Sequence, residues 1–195
     1  MRKTIVVVVL IAMAWLGYVA WPIFTLGTLA RAVEAGDIAT TMHHVDLPAV
    51  RRSITDQVVD TYLKLTGKTA SPLLRGAVTS AAGSIADPIV GRIVAPGALA
   101  DFLRDGWPTA VLPDRPPGTA GLSSASLGNA WEVFATAEYG IRRFEIELPP
   151  SSPRERRFLL EFRLIQWRWQ LAGVQMPEHL RVRLAEALIN ALSKR

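Results

Sequence analysis

The chain has 195 residues and a mass of 21.3 kDa, enough for one domain of ordinary size plus a targeting segment. It carries 22 lysines and arginines against 17 acidic residues, a formal charge of +5, and without Arg2 and Lys3 the remaining +3 is spread along the chain. Nucleic-acid binders concentrate their basic residues in one patch, so no nucleic-acid partner is expected. Half of the residues are hydrophobic and a fifth are charged, which excludes disorder as the dominant state. The absence of cysteine excludes a disulfide scaffold, a thiolate metal site, a cysteine nucleophile and a lipoprotein-type lipid attachment.

Arg2 and Lys3 lead into Ile5 through Trp21, 17 residues without a charge or a proline. As a helix this run is about 25 Å long, near the lower limit for crossing a hydrocarbon core. Tyr18 and Trp21 lie at its far end, where amphipathic aromatics favour the membrane interface. The basic start predicts a cytoplasmic N-terminus and an exported remainder, hence a single-pass inner-membrane protein with a periplasmic domain. The rival is a cleaved signal peptide. Its only clean small-x-small site, Ala12-Met13-Ala14, would leave an apolar core of seven residues, so an uncleaved anchor is favoured.

Pro22 opens a second apolar-periodic stretch, with Phe24, Leu26, Leu29, Ala30 and Val33 at helical spacing and Gly36 as its stop, and it either continues the anchor helix or bends away from it. Asp37 reads as the N-cap of a short helix through His43. Asp46 caps the next one, with Pro48 near its first position, an apolar stripe of Val50, Ile54, Val58, Tyr62 and Leu65, and an end at Gly67. Ser71-Pro72 starts a further helix with Leu73, Leu74, Ala77, Val78, Ala81 and Ile85 inward, bent at Asp87-Pro88 and continuing through Val94. Pro96 and Gly97 reset the chain before Leu99, Phe102 and Leu103.

Residues 106–128 alternate prolines with glycines and serines and read as a flexible connection without an element of its own. Beyond it the period changes to that of strands. Trp131 to Tyr139 is the first strand, and Arg143 to Leu148 the second, with Phe144, Ile146 and Leu148 alternating against Arg143, Glu145 and Glu147. Arg157 to Leu164 is the third, and a turn near Ile165-Gln166 leads to a fourth containing Trp167, Trp169 and Leu171. Trp131, Trp167 and Trp169 are expected to pack the sheet against the helices. Pro177-Glu178 then begins a last helix with Leu180, Leu184, Ala187, Leu188 and Leu192 on one face. The fold class is therefore α+β: an N-terminal transmembrane helix, several helices on a four-stranded antiparallel meander, and a C-terminal helix. Residues 1–21 are the anchor; 22–105, the connection 106–128, and 129–195 form one exported domain.

Residues that carry chemistry are few. His43 and His44 lie near Asp37 and Asp46, but adjacent helical residues do not share a face, and a metal site would need His179 or a distant carboxylate to converge. The simpler reading is a polar helix end capped by Asp46. Glu145 and Glu147 share a strand face and are an acid/base pair in principle, yet Arg157, Glu161, Arg163 and Arg168 as cross-strand neighbours make a solvated charge ladder the simpler account. Ser123, Ser124 and Ser126 lack the flanking glycines of a nucleophile elbow, and there is no phosphate-binding loop or dinucleotide fingerprint. No cofactor, metal or catalytic residue is expected. Arg51 and Arg52 sit at the head of a helix, where cations are disfavoured by the dipole, so an intramolecular partner (Asp46, or Asp56 for Arg52) or an anionic ligand for Arg51 is expected.

Four features together resemble a bacterial family known only as a domain of unknown function, whose members are short membrane-anchored proteins. They are the anchor, Ala32-Val33-Glu34-Ala35-Gly36-Asp37, Val45-Asp46-Leu47-Pro48-Ala49-Val50-Arg51, and the closing Trp169-Gln170-Leu171-Ala172-Gly173-Val174-Gln175-Met176-Pro177. The helix after Pro177 departs from the family by extending past its usual end. The resemblance implies an envelope protein without known catalytic residues. The chain order is also similar to the cone-shaped, nuclear-transport-factor-like α+β fold, which hosts both enzymes and adaptors.

The expected function is a non-catalytic binding or assembly module, held in the membrane through residues 5–21. Asp46, Arg51, Trp167 and Trp169 are expected to line or support its site. The expected partners are a lipid, another apolar or anionic small molecule, or an envelope protein. The alternatives are a hydrolase-type enzyme using a conical pocket, with His43, His44 or Asp46 as general base, and a structural subunit of an envelope complex.

Overall fold

The computed structural model describes residues 2–67, 86, 88–123, 127, 137–150 and 152–193. The helix expected from Ser71 to Ile85, most of the strand expected from Trp131, and Ser124 and Ser126 lie outside them.

The chain begins with one unbroken helix, α1 (Arg2–Glu34), with Pro22 inside it. The stretch from Pro22 therefore continues the first helix, one of the two alternatives that the sequence leaves open. Proline deletes one backbone hydrogen bond and disfavours a helix interior, but packing holds both sides of it. Beyond Pro22, Leu26, Leu29, Ala30 and Val33 are fully or almost fully buried. Before it, residues Ile5 to Trp15 are all apolar and exposed. Phe24 is not part of the buried stripe, being 71% exposed. Among the described residues α1 is the one helix long and apolar enough to cross a membrane.

Gly36 ends α1 in a left-handed conformation, φ 66°. Asp37 then caps α2 (Ile38–His43) by accepting from the Thr40 amide at 3.0 Å and the Thr40 hydroxyl at 2.6 Å. Asp46 caps α3 (Leu47–Leu65), accepting from the Ala49 amide at 3.1 Å, with Pro48 in the first turn where its missing N–H costs nothing. After a helical stretch over 88–93, α4 (Pro96–Asp105) begins at a proline and ends at Gly106, φ 65°.

The strands are β1 (Glu138–Tyr139), β2 (Arg143–Leu148), β3 (Phe158–Ile165) and β4 (Arg168–Gln175), antiparallel in the order β1-β2-β3-β4. A last helix, α5 (Glu178–Ser193), buries Leu180, Leu184, Ala185 and Leu188. The meander and the C-terminal helix are as the alternation and the leucine spacing predict. A bulge at Glu161/Phe162 in the β3–β4 pairing lets Phe162 face Leu171 and Glu161 face Gly173.

One continuous core joins the C-terminal half of α1 to α3, α4, α5 and one sheet face, through Leu29, Ile54, Phe102, Phe144, Phe162 and Leu184 among others. The free edge of β4 is covered. Val45 pairs with Leu171, the Asp46 amide donates to the Leu171 carbonyl at 2.9 Å, and the Leu171 amide donates to the His44 carbonyl at 2.8 Å. Farther along, Gln57 of α3 donates to the Val174 carbonyl at 2.8 Å and accepts from the Met176 amide at 2.8 Å. The β4 edge is thus paired at Leu171 and at its C-terminal end.

Residues 106–123 contain no helix or strand, but they are tied to the core rather than loose. Trp107 is 1% exposed and its indole donates to the Leu112 carbonyl at 2.8 Å. The Leu122 amide donates to the Leu103 carbonyl at 2.6 Å.

Candidate functional site

The four residues expected to form a site do not converge. Asp46 is an N-cap whose own amide is spent on β4. Arg51 is exposed on α3, its guanidinium lying beside Gly91, 3.9 Å from where a β-carbon would stand. Trp169 is 3% exposed and packs on Tyr18 of α1, ring centroids 6.3 Å apart. Trp167 is 78% exposed, which corrects its expected place in the core. The reason is local. The hairpin turn is Gln166-Trp167, with φ 48° and 62°, one residue later than expected, so Trp167 occupies a turn position and does not reach the packed face. Replacing Asp46 by alanine is expected to lower stability by about 1 kcal/mol through loss of the cap, and Asp46→Asn to restore most of it. Thermal melting of both variants checks this.

The other candidates also serve the fold. The His43 and His44 rings meet edge-on with centroids 5.4 Å apart. Their carbonyls accept from β4, that of His44 from the Leu171 amide and that of His43 from the Gln170 side chain. Among the described residues no three histidine, aspartate or glutamate side chains gather around a metal-sized space. On the charged sheet face Glu145 stands opposite Glu161, not opposite an arginine. Arg143 bridges both, 3.3 Å from Glu161; Arg163 adds a second contact to Glu161 at 2.7 Å, and Arg157 meets Glu147 at 3.2 Å. The ladder is real, but its order is diagonal, and Arg168 is not in it. Arg52 and Asp56 close no ion pair: burial and the charge of Asp60 raise the Asp56 pKa, and Arg52 only partly opposes them.

One concavity was not legible in the sequence. It is a groove of about 760 Å³ between the Pro116–Ala120 turn, the 152–158 connection and the first half of α5. Its lining carries Arg156, His179 and Arg183 together with Glu155, Glu178 and Glu186. Burial, then the charges of Arg156 and Arg183, pushes the His179 pKa below its ordinary 6.5. Arg156 and Arg183 are the groups that can hold an anion, with three carboxylates in the same lining. Among the described residues no hydrogen bond joins Ser152 to His179, so no nucleophile–base pair is assembled there. The only sequence signal was the run Arg154-Glu155-Arg156-Arg157, since its partners arrive from a helix twenty residues later.

Below the groove, Gly106 and Phe158 also line an apolar gap of about 20 Å³, closed off by Phe102, Leu103 and Leu122. A third, shallower cavity lies between Ser53, Gln57 and Arg181. None of Asp46, Arg51, Trp167 and Trp169 lines any of the three.

A pH dependence follows from the histidines. His44 is also lowered, by burial and by His43. With folded-state values below 6.5, the unfolded chain takes up protons first as the pH falls. Their contribution is therefore complete above about pH 7 and is lost progressively below 6.5. Melting temperatures between about pH 7.5 and about pH 5 are expected to fall less in His44→Gln/His179→Gln than in the parent.

Residues 11–102 match the model of a family described as a protein of unknown function (DUF2939). The match covers the helical part from α1 through most of α4 and includes Asp46 and Arg51, whereas the closing Trp169–Pro177 segment lies outside it. No curated protein and no solved structure matches the chain.

Proposed function

We propose that this chain, its helical half matching a family without a known activity, works as a membrane-tethered binding or assembly module of the cell envelope. Its N-terminus is cytoplasmic, its domain is periplasmic, and its ligand is a small anionic molecule held in the groove of Arg156, His179 and Arg183. The observation that carries the reading is the continuity of α1: a single helix passes from an exposed apolar half into the hydrophobic core. A cleavable signal peptide is dispensable to the fold it delivers. Here Tyr18 and Ile23 already pack on the core, so the tether and the domain are one body.

Native mass spectrometry of the full chain, released from its own membranes in mild detergent, tests both halves. The expected result is the uncleaved mass with a reproducible adduct of a few hundred daltons, lost in Arg183→Glu. A mass shortened at the N-terminus overturns the anchor. An uncleaved mass with no adduct overturns the small-molecule reading and leaves a protein as the partner.

A further inference from the structure

We infer that the hairpin end of the sheet is a second membrane contact, seated in the headgroup region of an anionic bilayer beside α1. The inference rests on the proposed anchoring but concerns a different surface, formed by the β1–β2 and β3–β4 turns. The two turns lie together: the Leu164 amide donates to the Arg142 carbonyl at 3.0 Å, and the Arg142 guanidinium donates to the Leu164 carbonyl at 3.3 Å. From this end project Ile141, 86% exposed, and Trp167, 78% exposed. Outside α1 no described large hydrophobic residue is more exposed than these two. Nothing in the fold requires either to be apolar, and a hairpin turn with both φ values positive ordinarily favours Asn-Gly over Gln-Trp.

The height of this end is set by α1. Exposed apolar side chains run unbroken from Ile5 to Trp15, and from Arg2 to Tyr18 the helix is about 25 Å long, near the lower limit for crossing a hydrocarbon core. Tyr18 marks the far end of that span and packs on Trp169. Two residues further along β4, Leu171 meets Val45, which the chain reaches only after α1 has ended and α2 has turned back. The strand thus starts near the membrane and runs away from it, and Trp167 precedes Trp169 on the membrane side. Tryptophan is the residue that favours the interface most, its ring amphipathic and its N–H able to reach headgroups.

The charges agree with an anionic surface. Arg142 and Arg168 flank the two apolar residues, both exposed, and Arg168 forms no ion pair among the described residues. Arg143 and Arg163 follow one step behind, each more than half exposed although bridged to glutamates. No acidic residue lies in either turn. An apolar residue pair ringed by arginines, fixed at the level of a membrane helix, fits an anionic lipid surface.

The absence of cysteine makes the test direct. Single-cysteine variants Trp167→Cys, Arg154→Cys and Met13→Cys of the full chain are labelled with an environment-sensitive fluorophore and reconstituted into vesicles. The vesicles contain phosphatidylcholine with or without phosphatidylglycerol, and nitroxide-bearing lipids serve as quenchers. Arg154 is the control, since the β2–β3 connection lies at the opposite end of the sheet. The expected result is strong quenching at 13 in both membranes, severalfold more quenching at 167 than at 154, and a larger effect with phosphatidylglycerol. Arg142→Gln/Arg168→Gln in the Trp167→Cys background is expected to remove that lipid preference.

If 13 is quenched and 167 is no more quenched than 154, the docking is overturned while the anchor stands. If 13 is not quenched, both fall together. If probes at 167 on two copies report on each other and not on the lipid, the surface is a dimer contact and the inference is wrong.

Discussion

Gly121→Ala is expected to destabilise the protein by about 3 kcal/mol or more, a large share of the stability of an ordinary domain. A β-carbon at 121 would lie 2.5 Å from both the Arg104 carbonyl oxygen and the Gly106 amide nitrogen, and closer still to the Leu103 carbonyl oxygen. All three are backbone atoms at the end of α4, so no rotamer change relieves the clash. Gly106 answers from the other side: a β-carbon there would meet the Ala120 carbonyl carbon at 2.7 Å, and its φ of 65° already suits glycine. Two glycines fifteen residues apart thus let one strand of backbone lie against a helix end, where the Leu122 amide bonds the Leu103 carbonyl. The groove shares Gly106 and Ala120 as lining, so its wall moves if this contact opens. At about 2–4 °C per kcal/mol for a chain of this size, the melting temperature is expected to drop by about 6–12 °C. Gly118→Asn is the control, since a side chain there meets nothing within 4 Å and asparagine tolerates the left-handed conformation. A Gly121→Ala variant that melts with the parent would show that this approach of the backbone is not native.

The same pair shows where sequence reasoning stops. Residues 106–128 read as flexible because proline and glycine punctuate them, yet Gly106 and Gly121 are there to allow contact, and Trp107 in the same stretch is almost wholly buried. Composition cannot separate a glycine that loosens a chain from one that lets it pack. Elements with a strong local signal were legible to within a residue or two: the caps Asp37 and Asp46, the alternation of Arg143–Leu148, and the leucine spacing of α5. Local preference leaves open whether the helix continues past Pro22, and packing of Leu26 and Leu29 decides it. Local alternation puts Trp167 in the core, but a one-residue shift of the turn puts it in the solvent-facing loop. The groove was invisible for a different reason, because Arg156 and His179 come together only through tertiary structure.

Trp169→Ala is expected to cost about 3–5 kcal/mol, the range for removing a large buried aromatic. The residue sits at the start of β4 with Tyr18 tilted against it at 59°, and so links the sheet directly to α1. Its indole nitrogen is buried without a hydrogen-bond partner, a penalty of about 1–3 kcal/mol that the ring's packing outweighs. Phenylalanine removes that orphaned donor while keeping most of the apolar area, so Trp169→Phe is expected to lie within about 1 kcal/mol of the parent. A double-mutant cycle with Tyr18→Ala should return a coupling of about 0.5–1.5 kcal/mol for the aromatic pair. Melting in detergent gives the stabilities, and limited proteolysis in vesicles reads the second consequence. Without the Trp169 ring the sheet is held to α1 only through its C-terminal half, so cleavage at the arginines of the hairpin end should accelerate in Trp169→Ala and not in Trp169→Phe. If alanine and phenylalanine behave alike in both measurements, the helix does not fix the height of the sheet. The seating of Trp167 at the membrane would then lose its geometric frame, whatever the lipid composition.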